Sequence, residues 1–166
     1  MQRYITYDWR QTMLSLKRST IHEAAVLLDI QKEAFQEDLI TYEDYETNPV
    51  NEPIERLIKK IQLFIHYTIW IDGEIAGGAD VRDNGDGKYR LNRVFLSKQY
   101  QNKGFGTELI HLIEAQFPLA KEWVLDTPHL NTRNHHFYEK LGYKRQGQHH
   151  VNHKLILIDY VKKMGV

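Results

Sequence analysis

The segment from Lys88 to Thr127 constrains the fold of this chain most, because it predicts a strand, a loop, a helix and a second strand in that order. The alternating run "KYRLNRVFLS" predicts the first strand, and the short apolar run "EWVLDT" predicts the second. Between them, apolar residues at helical spacing follow the loop "KQYQNKGFG" and end at Pro118. A helix between two such strands is typical of a βαβ unit, so we predict an α/β fold with a mixed sheet.

The rest of the pattern predicts two helices, an antiparallel meander, and a last helix with two strands. Thr20 and Glu23 have capping-box spacing ahead of the first helix, and Asp72-Gly73 separates two strand-like runs as a hairpin turn does. The elements predicted around these signals are a strand over Met13 to Ser19, helices over Thr20 to Phe35 and from Pro53 to Phe64, a turn over Asp83 to Gly87, a helix over Thr132 to Leu141, and strands over Tyr143 to Val151 and Lys154 to Val161. No repeat or linker interrupts them, so we predict one domain over residues 1–166 with an N-terminal extension over 1–12.

The composition argues against several classes of function. Lys plus Arg and Asp plus Glu each number 22, so the formal net charge is zero and a broad basic surface for nucleic acid is not expected. The chain has no cysteine, which excludes disulfides, thiolate metal sites and a cysteine nucleophile. No run approaches the roughly 20 apolar residues of a membrane span, and the polar N-terminus is unlike a signal peptide. We therefore expect a soluble, cytoplasmic protein with neither a nucleic-acid nor a membrane partner.

The glycine loop has the composition of an anion-binding site. A helix N-terminus carries unpaired N–H groups and a partial positive charge, and Gly104 and Gly106 let the backbone approach a ligand closely. Gln101, Asn102 and Lys103 add donors and a cation. The loop fits neither a Walker loop, in which the lysine follows the last glycine, nor a Rossmann fingerprint, which needs a third glycine. A plain turn at the start of a helix is the alternative at this point.

Two motifs, taken together, resemble the GCN5-related N-acetyltransferases (GNATs). The segment "VFLSKQYQNKGFGTELI" is similar to the acetyl-CoA-binding signature Q/R-x-x-G-x-G/A of that family, which Gln101, Gly104 and Gly106 satisfy. Downstream, "NTRNHHFYEKLGY" resembles the family's N-x-x-A/N-x-x-F-Y-E-K-x-G-F segment at nearly every position. The resemblance extends over residues 13–162. It implies the GNAT fold, a mixed, mostly antiparallel sheet of about six or seven strands with about four helices, splayed between the strand before the glycine loop and the next strand.

The same resemblance implies an N-acetyltransferase that moves an acetyl group from acetyl-CoA, its cosubstrate, to a primary amine without a metal. Tyr138 matches the family tyrosine near the thioester sulfur, which acts as general acid; the alternative is a tyrosine buried for packing. Asn131 matches an asparagine near the cofactor, and Asn134 replaces the commoner alanine. The residues that the resemblance places against acetyl-CoA are Val94, Phe95 and Leu96 at the strand end, Gln101, Asn102, Lys103, Gly104, Phe105, Gly106 and Thr107 in the loop, and Asn131, Asn134 and Tyr138 in the second motif.

The general base is left open between two residues. Asp126 ends a predicted strand, and the ribosomal-protein N-terminal acetyltransferases of this superfamily carry a glutamate base at the same spacing from the asparagine that Asn131 matches. Aspartate is shorter by one methylene, so we expect a bridging water. His129 is the rival, since imidazole titrates near neutral pH. An aspartate that only caps the turn before Pro128 is the third interpretation.

Two further groups of residues suggest ligands. Among nine histidines, His149, His150 and His153 lie on or near one strand and turn, where only alternate residues share a face, so we expect no metal site. The stretch from Glu37 to Glu52 holds six acidic residues and no Lys or Arg, and the resemblance places it beside the acceptor site. It favours a cationic acceptor such as a polyamine, an amino sugar or a basic peptide end; a solvated loop is the alternative.

Two points stay open at the level of sequence. The alternation of Ile5, Tyr7 and Trp9 fits either an added edge strand or packing against a second subunit, as in a homodimer. A CoA-binding module without turnover would share the glycine loop with an enzyme and would differ from it over Tyr138 and the base. Because Tyr138 and Asp126 are both present, we expect an enzyme.

Overall fold

A computed structural model describes residues 12–165, and its centre is a single seven-stranded sheet. The strands are β1 (Leu14–Arg18), β2 (Ile65–Ile71), β3 (Glu74–Asp83), β4 (Lys88–Leu96), β5 (Glu122–Pro128), β6 (Lys144–His150) and β7 (Ile156–Lys163). They lie in the order β1-β2-β3-β4-β5-β7-β6. Within these strands only β4 and β5 pair in parallel, as the predicted crossover requires. The hairpin between β2 and β3 turns at Asp72 and Gly73, both at positive φ, which confirms that prediction.

In the described part of the chain, four α-helices cover the sheet: α1 (Ala24–Tyr42), α2 (Ile54–Leu63), α3 (Phe105–Ala115) and α4 (Thr132–Lys140). Ahead of α1, the carboxylate of Glu23 accepts the Thr20 N–H at 2.9 Å, as the capping-box spacing predicted. The helix then runs past the predicted end at Phe35 and stops at Tyr42, where Glu43 takes a left-handed conformation. Part of the acidic stretch that suggested a loop is therefore helical.

The helices lie on both faces of the sheet, and successive residues at the end of β4 pack against different helix pairs. Val94 and Leu96 pack against the core cluster that includes residues of α3 and α4, whereas Phe95 belongs to a second cluster with α1 and α2. Successive residues of a strand point to opposite faces. The pairs α1–α2 and α3–α4 consequently cover opposite faces, and the end of β4 lies between them.

The sheet is splayed between β4 and β5. The two strands pair only over Lys88–Arg90 with Glu122–Val124, although β4 continues to Leu96 and β5 to Pro128. A β-bulge at Asn92 accompanies the opening, and the Asn92 side-chain amide donates to the Asp80 carboxylate at 2.8 Å. Backbone groups on this side of β4 are left without a strand partner. The predicted fold class, including the splay, is confirmed.

Two predictions concern the ends of the chain and membranes. Ile5, Tyr7 and Trp9, for which an edge strand or a subunit contact was predicted, lie outside the described residues. Within residues 12–165, no helix has the length and apolar character needed to cross a membrane.

Candidate active site

Two cavities meet where β4 and β5 separate. The large cavity, of about 720 Å³, lies between α1, the end of β4, the glycine loop with the first turns of α3, and α4. The small cavity, of about 220 Å³, lies between the end of α1, residues 44–49, β4 and β5. Five residues line both cavities: Phe35, Asp38, Val94, Asn134 and Tyr138. These five define what we call the junction.

The glycine loop forms one wall of the large cavity at the N-terminus of α3. Gly104 precedes the helix at φ +85°, and a Cβ built on it would meet no protein atom within 4 Å. The first N–H groups of α3 have no partner inside the helix, so this wall has the properties of an anion site. Gly106 is needed for packing instead, because a Cβ there would lie 3.0 Å from the Phe137 ring of α4.

All predicted cofactor residues except Lys103 line the large cavity. Their roles differ. The Gln101 side-chain amide donates to the Leu96 carbonyl at 2.8 Å, so this residue ties the loop to the end of β4. The Asn131 carboxamide accepts the Asn134 N–H at 3.1 Å and caps α4, while the Asn134 amide donates to the Thr127 hydroxyl at 3.3 Å. Several motif residues thus shape the cavity by holding its walls together.

Tyr138 lies at the junction on α4 and is 7% exposed. Its ring packs edge-on against Phe137 and Tyr143, with centroids 5.0 and 5.7 Å away. Burial raises the pKa of its phenol, and the negative charge of Asp126 raises this pKa further. The phenol therefore keeps its proton across the physiological pH range and can act as a donor.

Asp126 lines the small cavity but not the large one. Its carboxylate forms an ion pair with the Arg90 guanidinium. Burial raises the pKa of Asp126, against the opposing effects of Arg90 and His149. His129, the rival base, lines neither cavity; its Nδ1 lies 3.1 Å from the Ile156 carbonyl oxygen, which directs the ring towards β7.

The structure brings together three groups that the sequence did not connect. Asp126 and Asp159 face each other across β5 and β7, and His149 Nδ1 lies 3.1 Å from Asp159 Oδ2. One ligand atom from each lies within 4.8 Å of the others. The prediction from the histidine spacing concerned one strand alone, whereas these groups come from three strands. Arg90 already pairs with the Asp126 carboxylate in this cluster.

Three of the six acidic residues between Glu37 and Glu52 have hydrogen-bond or ion-pair partners in the structure. Glu43 lies 2.9 Å from Lys154 Nζ, and Asp44 accepts the backbone N–H and the hydroxyl of Thr47. Glu52 is buried in an ion-pair network described below. Of the six acidic side chains, only those of Glu37 and Asp38 line the large cavity. Asp38 belongs to this stretch, and nothing in its local sequence pattern separates it from the other acidic residues.

Comparisons with known proteins agree with this architecture. The family model described as the acetyltransferase (GNAT) family matches residues 25–143. A search of the curated proteins finds no match. Many solved structures are similar in fold. They include the PaiA N-acetyltransferase from Thermoplasma acidophilum in complex with coenzyme A, which is 19% identical with a TM-score of 0.68 and is matched over 92% of this chain and 99% of its own.

Two further similar structures are of proteins for which an activity or a bound ligand is known. A ribosomal-protein alanine N-acetyltransferase from Escherichia coli is 12% identical with a TM-score of 0.73, over 93% of this chain and 96% of its own. AAC(6')-Ib, in complex with ribostamycin and coenzyme A, is 19% identical with a TM-score of 0.69, over 90% of this chain and 93% of its own. At these identities the likeness establishes the fold.

Proposed function

Because this chain belongs to the GNAT acetyltransferase family, we propose that it transfers an acetyl group from acetyl-CoA to a primary amine by direct attack. The observation that carries the proposal is the junction, where a large cavity with an anion-binding wall meets a small cavity lined by carboxylates. A thioester and an amine entering from opposite sides would meet beside Tyr138.

The residues of the large cavity fit acetyl-CoA. The unpaired N–H groups at the start of α3, with Gly104 in the left-handed region, suit a pyrophosphate. The splayed end of β4, from Val94 to Leu96, offers backbone hydrogen-bonding groups to the amide-containing pantetheine arm of acetyl-CoA. When bound, acetyl-CoA supplies the thioester carbonyl that the amine attacks. PaiA N-acetyltransferase and AAC(6')-Ib, which have the same fold, are described in complex with coenzyme A.

The chemistry needs a proton acceptor and a proton donor. A free alkylammonium has a pKa near ~10.4, so it must lose a proton before its nitrogen can attack. Asp126, on the wall of the small cavity, accepts this proton through a water. The amine nitrogen then forms the C–N bond as the C–S bond breaks, and it loses its second proton to water. Tyr138 gives its phenolic proton to the leaving thiolate and regains one from solvent.

Tyr138→Phe and Asp126→Asn test these roles. We expect each to leave the Kd for acetyl-CoA unchanged and to lower kcat, by about a hundredfold or more for the loss of a general acid or base. Calorimetric titration gives the Kd, and thiol release in the presence of an amine gives kcat. An unchanged kcat in either variant contradicts the role of that residue.

The ion pair between Arg90 and Asp126 favours one alternative, because it already uses part of the carboxylate that a base needs. In that alternative the protein binds CoA as a regulatory module and transfers no acetyl group. The same assays separate the two functions. Tight binding of acetyl-CoA with no thiol release for any amine supports the binding module.

A further inference from the structure

The small cavity is lined by three carboxylates that differ in their partners. Asp44 accepts two hydrogen bonds from Thr47, and Asp126 forms its ion pair with Arg90. The third, Asp38, has neither a hydrogen bond nor an ion pair within residues 12–165. Arg133 also lines the large cavity but forms no ion pair with Asp38. Among residues 12–165, Asp38 is thus the one of the three that has neither a hydrogen-bond donor nor a counter-charge from the protein.

Asp38 is also the only one of these three carboxylates at the junction. It projects from α1 and lines both cavities, as do Tyr138 and the β4 backbone at Val94. Asp44 and Asp126 line the small cavity alone. An amine that enters through the small cavity and attacks a thioester beside Tyr138 therefore passes the region that Asp38 lines.

The surroundings of Asp38 favour a cation there. Its side chain is half-buried, and burial together with the negative charge of Glu37 raises the pKa of its carboxyl. Burial and the charge of Asp38 in turn raise the pKa of the Tyr42 phenol, which keeps this neighbour neutral. A partly buried carboxylate without a partner is unfavourable, and a cation beside it removes that cost.

We propose that Asp38 is the acceptor-binding residue of this protein, and that it holds the ammonium group of a cationic alkylamine at the junction. The proposal rests on the acetyl transfer proposed above and adds a specificity-determining residue to it. Asp38 binds the ammonium by a charge-assisted hydrogen bond. The proton then leaves through the water to Asp126, and the neutral amine attacks from the position that Asp38 fixed.

The test compares Asp38→Asn, Asp38→Glu and the control Asp29→Asn in amine-dependent thiol release. Asp29 is exposed on the same helix and lines neither cavity, so its variant makes the same charge change away from the site. The probes are putrescine and butylamine, both cations at pH 7. For Asp38→Asn we expect the KM of the amine to rise about tenfold to a hundredfold, as for a lost charged hydrogen bond.

The KM for acetyl-CoA should stay at the wild-type value in all three variants, because none of the substitutions removes a group that we place against acetyl-CoA. A general disturbance of the fold would change the KM of the amine and the KM of acetyl-CoA together. Asp38→Glu should restore part of the amine affinity, since it keeps the charge. Equal amine KM values in the wild type and Asp38→Asn overturn this inference and leave the acetyl transfer standing. A wild-type protein that releases no thiol with either alkylamine but does so with another primary amine overturns this inference alone. A wild-type protein that releases no thiol with any amine overturns the proposed function, and the inference with it.

Discussion

Gly104 offers a sharp test of the anion-binding wall, because the chain contains a glycine matched to it in conformation. Gly104 has φ +85° and Gly85, in the turn between β3 and β4, has φ +83°. A Cβ added to either would meet no protein atom within 4 Å. An alanine in the left-handed region costs about 1–2 kcal/mol, so both Gly→Ala variants should lose that much stability. Thermal or urea unfolding measures this loss.

Only Gly104→Ala should weaken the binding of acetyl-CoA. Gly104 lines the large cavity whereas Gly85 does not, so the added methyl group displaces a phosphate from the N–H groups of α3 only in the first variant. The loss of one charge-assisted hydrogen bond costs about 1.5–3 kcal/mol, which is roughly a tenfold to hundredfold increase in Kd. Calorimetric titration of the two variants side by side gives the comparison. Equal Kd values for both would refute the assignment of this loop to a pyrophosphate.

Two further predictions concern the polar groups buried between α2 and the sheet. Glu52→Gln should cost about 3–5 kcal/mol in urea unfolding, because Arg93 (3.1 Å) would lose its counter-charge and Lys60 (2.5 Å) would keep only Asp80, at 3.7 Å. The exposed Glu55→Gln should stay near the wild type, and a loss for Glu52→Gln no larger than that of this control contradicts the prediction. Burial lowers the pKa of His66 to about 4, so between pH 6.5 and 4 the unfolded chain binds a proton that the folded chain does not, and the free energy of unfolding should fall by about 3 kcal/mol over this range. His66→Gln should remove this part of the pH dependence. An equal pH dependence in the wild type and the variant contradicts the prediction.

The sequence predicted the segment from β4 to β5 well because its signals are local. Helical spacing, a glycine at positive φ and a short apolar strand act over a few residues, and the structure has α3 and the parallel pair where they were expected. The predicted second helix also begins directly after Pro53. The end of α1 was missed because no proline or glycine marks it. The helix stops where Glu43 adopts a left-handed conformation.

The partners of charged residues could not be predicted, because they come from distant parts of the chain. Asp126 was identified from its position at a strand end and from its spacing to Asn131 in the family resemblance, but its ion pair with Arg90 of the neighbouring β4 was not predicted. In the sequence Glu52 is one of six acidic residues in a single stretch, whereas in the fold it forms ion pairs with Lys60 and Arg93. Among the residues that the structure describes, none forms an ion pair with Asp38, and no pattern in the sequence distinguishes it from its acidic neighbours.

The measurement that tests the central claim most directly is amine-dependent release of CoA thiol by the wild-type protein, followed together with the mass of the amine product. Acetyl transfer predicts that thiol appears only when both acetyl-CoA and an alkylamine are present. It also predicts one acetylated amine for each thiol released. Binding of acetyl-CoA with no thiol release for any amine, or thiol release at the same rate without an amine, would contradict it.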